Sequence, residues 1–237
     1  MKKTALVTAG NKGIGQGIVL RLAKEGYKVY ASARSIEKIK ETMELCKDYD
    51  VEPIIFDVRD YDDLMGKIRA LGHLDAVVNA AGLSIVKKTI EELDITDWTE
   101  ILDTNVKGYF FVIKAAIENM EAGGAIVNIT SGAAKTGGDF VSIPYSSSKG
   151  AINSLTISVA RDLAPRGIRV NAVSPGFVAS DMLKLNGKPF DYYSDIIPLH
   201  RLGKPEDIAN MVYYLVSDES NFMTGQIIEV NGGDIMG

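Results

Sequence analysis

The chain has one cysteine, Cys46, which excludes an internal disulfide. It has two histidines, His73 and His200, far apart in sequence and too few for a zinc site, so no metal is expected. Prolines number only 7 in 237 residues, and no low-complexity linker interrupts the chain. No apolar run approaches the ~18 residues of a membrane span. The start, Met1 to Gly10, has too short an apolar run for a signal peptide. Positive charge is not in excess: the formal net charge is -5 and no basic stripe is visible, which argues against a nucleic-acid partner. These absences leave a cytoplasmic protein of one domain over residues 1–237, with no membrane partner as the expectation. Apolar residues make up 46%, enough for a sizeable core.

What is present alternates. Apolar strands are expected at 4–8, 28–33, 51–56, 74–78, 125–130, 168–173 and 226–230. Helical spacing links them at 14–25, 35–47, 60–71, 145–164 and 205–217. A long helical region covers roughly 96–122, with an irregular start. This βαβ rhythm, with strands that are nearly continuous apolar runs, predicts a doubly wound α/β sheet covered on both faces. Ligands in such sheets bind beyond the carboxyl ends of the strands. Gly10, Asp57, Asn79, Ser131 and Pro175 each follow or end a strand. Residues 181–200 break the rhythm and read as a mobile lid or short helices over the pocket.

Thr8-Ala-Gly-Asn-Lys-Gly-Ile-Gly15 joins the first strand to the first helix. Gly10, Gly13 and Gly15, with Ile14, would let backbone approach a pyrophosphate at a helix N-terminus. No Gly-Lys-Ser/Thr ending follows, so this is not a P-loop. The second strand ends in Ala33, followed by Arg34 and Ser35. An acid there would repel a 2′-phosphate; two cations, Arg34 and Lys12, favour NADP(H) instead. Asp57 has two readings, an acceptor for the adenine amino group or a helix N-cap beside Arg59-Asp60.

Tyr145-Ser-Ser-Ser-Lys149 places a phenol and an amine on one helix face. Ser131 lies fourteen residues upstream. Together they suggest a phenol that gives a proton to a carbonyl while hydride arrives from a nicotinamide. A free phenol has a pKa of about 10, poorly matched to neutral pH. Lys149 and the positive cofactor ring would lower it; about three units need roughly 4 kcal/mol. Ser131 would donate to the substrate oxygen as charge develops; Thr130 and Ser146 are alternatives by type.

Combined, Thr8 to Gly15, Asp57-Val58, Asn79-Ala-Ala-Gly82, Asn105, Ser131, Tyr145 with Lys149, Pro175-Gly176, Arg201 to Asp207 and Thr224-Gly-Gln226 span nearly the whole chain. In their order the sequence resembles the short-chain dehydrogenase/reductase family. The resemblance implies a Rossmann-like seven-stranded parallel sheet with three helices per side, and a homotetramer, with a dimer as the smaller alternative. It implies that Lys149 bonds the nicotinamide ribose and that Asn105 holds a water in the proton relay. It places Asp57, Val58, Asn79, Ala80, Gly82, Pro175, Gly176 and Val178 around the cofactor, with Ser180 where that family often has threonine. Two departures stand out: Thr8-Ala9 replaces the usual Thr-Gly, and Asn79-Ala80 the usual Asn-Asn.

The substrate pocket is expected from Ser131, Phe140, Ile143, Tyr145, Phe177, Met182, Leu183 and Tyr192. The leading reading is an NADP-dependent carbonyl reductase or alcohol dehydrogenase acting on a small molecule. A 3-oxoacyl-carrier-protein reductase, a polyol, sugar or hydroxysteroid dehydrogenase, and a cofactor-binding regulator without turnover are the alternatives. A carrier protein would want a basic rim. Arg166 and Arg169 would supply it, while Glu118 to Gly124, expected near the site, would oppose it.

Overall fold

Seven strands form the sheet expected from the alternation, and their order shows why one end of it gathers the motifs. A computed structural model describes residues 2–138, 140–185 and 187–236. The strands are β1 (Thr4–Val7), β2 (Lys28–Ala33), β3 (Val51–Ile55), β4 (Ala76–Asn79), β5 (Ala125–Ile129), β6 (Arg169–Pro175) and β7 (Ile227–Val230). All neighbouring pairs are parallel, in the order β3-β2-β1-β4-β5-β6-β7. The winding reverses between β1 and β4, and the carboxyl ends of those two strands open the crevice where such sheets take ligands.

Helices α1 (Gly13–Lys24), α2 (Ile36–Leu45) and α10 (Pro205–Val216) cover one face. Ile18, Leu22, Ile39, Ile208 and Val212 pack there on Val7, Val29 and Val127. On the other face lie α3 (Tyr61–Arg69), the α4–α5 arm (Ile95–Leu102 and Gly108–Ala116) and α7 (Ile143–Leu163). Leu64, Ile68, Val112 and Ile152 pack there on Leu6, Val77 and Ile126. Burial on both faces is the physical reason the strands lack polar alternation.

The α4–α5 arm corrects the expectation of an irregular start. It begins regularly at Ile95, where Asp94 accepts from Thr96 and Asp97 N–H as the N-cap. The irregularity is central, a π-helical turn over Asp103–Lys107, and the helix ends at Ala116 rather than near 122. Sequence spacing missed a four-residue helix, α6 (Ala133–Thr136), directly after Ser131. Residues 181–200 contain two short helices, α8 (Asp181–Lys184) and α9 (Phe190–Ile196).

The edge strand β3 carries Pro53, which pairs with Ala31 of β2. Phe56 N–H donates inward to Ala33 O at 3.1 Å. Three residues earlier, Pro53 falls on the opposite alternation, so the N–H it lacks is one that would point off the sheet.

Candidate active site

The glycine turn is built by contacts that exclude side chains. A methyl on Gly15 would lie 2.2 Å from Ala9 O, and one on Gly17 would lie 2.7 Å from Pro205 Cβ, closing α1 on α10. Gly13 takes φ +55°, with nothing within 4 Å of where a methyl would sit. Ala9 itself adopts φ +51°, a left-handed conformation that explains the glycine usual there. The first turn of α1 holds no acid, and Lys12 sits at its N-cap. A bare helix N-terminus at the switch point, with open glycine backbone and no carboxylate, fits a dinucleotide pyrophosphate.

Thr8, absent from the expected set, organises the floor. Its Oγ1 accepts from Ala80 N–H at 2.9 Å and Ala81 N–H at 3.1 Å. Asn79 Nδ2 donates to Asn128 Oδ1, and Asn128 Nδ2 to Thr156 Oγ1, both at 3.0 Å, which ties β4, β5 and α7 in one buried chain. Gly82 follows; a methyl there would stand 4.0 Å from Lys149 Nζ and 3.8 Å from Met182 Cε.

At the adenosine end the two readings of Asp57 resolve differently. Asp60, not Asp57, caps α3, accepting from Asp63 N–H at 3.2 Å. Asp57 is gripped by Arg59 through Nε and Nη2 and by its backbone N–H, and this pairing lowers its pKa. Arg34 is exposed and close enough to Asp57 to add to that lowering. Ser35 stands near the Glu37 carboxylate and helps lower its pKa, after the Glu37 backbone, and Lys12 reaches Asp181 of α8 at 3.6 Å. Val58 Cγ2 would lie 2.8 Å from a methyl on Gly108, so that glycine lets α5 approach β3's exit.

α7 carries the chemical pair. Tyr145 and Lys149 are both buried, 8% and 3% exposed, on the inward face of the helix. Burial raises the Tyr145 pKa, and Ser131, near its hydroxyl, partly lowers it. Of the alternatives by type, Thr130 Oγ1 donates to Lys149 O at 3.0 Å and Ser146 Oγ to Ile143 O at 3.0 Å. Neither is the hydroxyl that influences Tyr145.

Lys149 Nζ donates to Ile129 O at 2.9 Å and stands 3.5 Å from Tyr109 Oη. Its ammonium lies 5.3 Å from the Tyr109 ring centre and 5.7 Å from that of Tyr145. Burial brings the Lys149 pKa down to about 7. Burial thus weakens the ammonium, and it raises the Tyr145 pKa where a depression was expected. Tyr109 was not singled out from the sequence. Its spacing four after Asn105, on one helix face, was the available signal.

Asn105 is fully buried in the π turn. Its Oδ1 accepts from Leu83 N–H at 2.7 Å, and its Nδ2 donates to Leu83 O at 2.9 Å and to Ser148 Oγ at 3.0 Å. Ser148 Oγ donates to Tyr145 O at 2.7 Å. The amide therefore pins the loop after β4 to the turn of α7 that holds Tyr145.

The substrate side has an aromatic knot. Phe140 lies 5.8 Å from Phe177, 5.9 Å from Tyr192 and 5.6 Å from Tyr193, ring centre to ring centre. Tyr193, unexpected from sequence, is fully buried. Leu183 is buried and packs rather than lines, while Ile143 is 39% exposed at the head of α7. Ser180 caps α8 by accepting from Leu183 N–H at 3.4 Å. Val178 is buried in a bridge to Gly203, and Gly176 N–H donates to Val230 O at 3.2 Å.

The expected basic rim is corrected. Arg166 donates to Ile117 O and Met120 O at 2.7 and 3.1 Å, and Arg169 is buried on Leu215 O, Ser217 O and Ser220 Oγ. Both residues stand before or at the start of β6, at the amino ends of the strands. Glu118 to Gly124 lies at that same end, preceding β5, so neither group borders the cleft.

Comparison with known proteins follows this geometry. Residues 8–234 match the profile of a family described as enoyl-(acyl carrier protein) reductase. The chain is 39% identical to the 3-oxoacyl-[acyl-carrier-protein] reductase FabG of Staphylococcus aureus, covering 100% of this chain and 99% of the relative. Among solved structures it is similar to a Serratia marcescens short-chain dehydrogenase/reductase (TM-score 0.91, 34% identity, 98% and 97% of the chains). It is also similar to actinorhodin polyketide ketoreductase with NADPH (TM-score 0.91, 31% identity, 98% and 97%).

Proposed function

The chain belongs to the short-chain dehydrogenase/reductase family, and on that footing we propose that it is an NADP-dependent oxidoreductase in which Tyr145 serves as general acid/base at a ketone or secondary alcohol. The observation that carries this is the burial of Tyr145 and Lys149 together on one turn of α7, with Ser131 near enough to the phenol to lower its pKa. Both hydroxyls border the place a carbonyl oxygen would take.

Nicotinamide supplies or accepts the hydride when bound. Gly10, Gly13, Ile14 and Gly15 would cradle the pyrophosphate, and Arg34 with Lys12 would meet the 2′-phosphate. Val58, Asn79, Ala80, Gly82, Pro175, Gly176, Val178 and Ser180 would shape the rest of the cofactor cleft. Ser131 steadies the substrate oxygen, Tyr145 gives up its proton to it, and Lys149 supports the phenolate. Lys149 holds Ile129 O with one of its N–H donors and keeps others that would reach a ribose hydroxyl, and with a pKa of about 7 its charge grows as pH falls. Asn105 pins Leu83 and Ser148 with its amide, and its Oδ1 keeps a second acceptor site for the relay water it would hold.

A 3-oxoacyl thioester is the second reading. The name of the Staphylococcus relative favours it, and with Glu118 to Gly124, Arg166 and Arg169 all at the far end of the sheet, neither the acidic nor the basic group bears on it. The exposed lysines Lys184 and Lys188 of the loop would border such a partner. We read 1–237 as one domain with 181–200 as its lid, in a cytoplasmic homotetramer. Exposed Trp98, Phe110 and Ile157 on α4, α5 and α7, and fully exposed Phe222, support assembly. Among the described residues no helix is long and apolar enough to cross a membrane.

The test is a panel of ketones, sugars, steroids, and 3-oxoacyl and enoyl thioesters with NADPH and NADH, run beside Tyr145→Phe. Carbonyl reduction with NADPH is expected, and Tyr145→Phe should lose about 10²–10⁴-fold in kcat while binding NADPH normally. Turnover confined to the enoyl thioester, or an active Tyr145→Phe, would overturn the assignment.

A further inference from the structure

The segment after β7 folds back under the catalytic turn. A methyl built on Gly132 would lie 2.6 Å from Ile235 Cδ1 and 3.8 Å from Ile235 Cγ1. Its next neighbour is Pro175 O, 3.7 Å away. The backbone of Gly132 itself is right-handed helical, φ −53° and ψ −28°, which any residue adopts. A side chain added at this position would press first on the tip of one partly buried isoleucine.

Ile235 is held in that place. Asn231 Nδ2 donates to Ile235 O at 2.9 Å, and Asn231 Oδ1 accepts from Gly233 N–H at 2.9 Å. The same short segment touches the end of the substrate loop, where Leu199 N–H donates to Gly232 O at 3.1 Å. It also closes on the cofactor side, where a methyl on Gly176 would meet Asn231 Cβ at 2.7 Å. Gly132 N–H in turn donates to Pro175 O at 3.0 Å. Ser131 therefore sits on a peptide clamped between β6 and the Ile235 side chain.

We propose that Ile235 is a positioning residue for Ser131: its Cδ1 methyl backs the Gly132 peptide and fixes the direction of the serine hydroxyl. This rests on the reading of Ser131 as the donor to the substrate oxygen. A displacement of about 1 Å at such a group is enough to cost turnover heavily. One methyl can be moved across the contact. Gly132→Ala with Ile235→Val removes Cδ1 and places a methyl opposite the gap, conserving volume.

The experiment uses the full chain with NADPH and a ketone that it turns over. It compares Gly132→Ala, Ile235→Val, Ile235→Ala, the Gly132→Ala/Ile235→Val pair and Ser131→Ala for kcat, KM, NADPH Kd and Tm. Gly132→Ala is expected to lose about tenfold or more in kcat, and the pair to recover to within about threefold of the parent, a coupling that independent sites would not give. Ile235→Ala should lower kcat with NADPH Kd unchanged. An unaffected Ile235→Ala, or a pair no better than Gly132→Ala alone, overturns the inference if Ser131→Ala is inactive. An active Ser131→Ala overturns the reading beneath it as well.

Discussion

At Lys149 the cost of the site can be read from one side chain. The amine is buried, with a pKa brought down to about 7, against about 10.4 in an unfolded chain. Between those values the unfolded state holds a proton that the folded state does not, so folding stability from this group rises with pH from about 7 to about 10. Lys149→Met removes that penalty. The variant is expected to be inactive yet to melt higher than the parent at pH 7.5, with the gap closing towards pH 10. A Tm difference that ignores pH would contradict it. Ala9 holds a second, smaller strain. Its left-handed backbone costs about 1–2 kcal/mol relative to a glycine's freedom, partly offset by the looser unfolded chain that glycine brings. Ala9→Gly should therefore stabilise by about 0.5–1 kcal/mol, a Tm rise of a few degrees by calorimetry at unchanged kcat.

Among elements, the π turn of Asp103–Lys107 does what a regular helix would not: it delivers Asn105 to both Leu83 and Ser148. Asn105→Ala would strand the Leu83 backbone pair and the Ser148 hydroxyl, at about 1–3 kcal/mol for a buried group left unpaired. A lower Tm and a fall in kcat larger than the change in NADPH Kd are expected. Equal losses in kcat and Kd would remove the link to Tyr145. The sheet and most helices were legible because apolar period and turn residues specify them locally. The glycine turn, Ser131 and the Tyr145–Lys149 face were legible for the same reason. The π turn was not, because its irregularity is compensated by the Leu83 backbone and the Ser148 hydroxyl, 22 and 43 residues away in sequence. The roles of Thr8 and Tyr109 were not legible because their partners, Ala80 just past β4 and Ile129 of β5, are backbone groups distant in sequence. Arg166 and Arg169 misled because charge in a sequence does not say which end of a sheet it occupies.

For the molecule as a whole, two apolar exposures lie on separate elements: Phe110 with Ile157 on α5 and α7, and Phe222 before β7. Phe110→Glu and Phe222→Asp should each reduce a tetramer to dimers in sedimentation, and together to monomers. A parent that sediments as a monomer would end the proposal of assembly. The strand edges are unequal. Pro53 removes an outward donor from β3, while β7 at the other end carries no proline. Pairing of another sheet is therefore less favoured at β3 than at β7. Two copies meeting at β7 would present a Pro53 at each outer margin, where a third copy would find a donor missing.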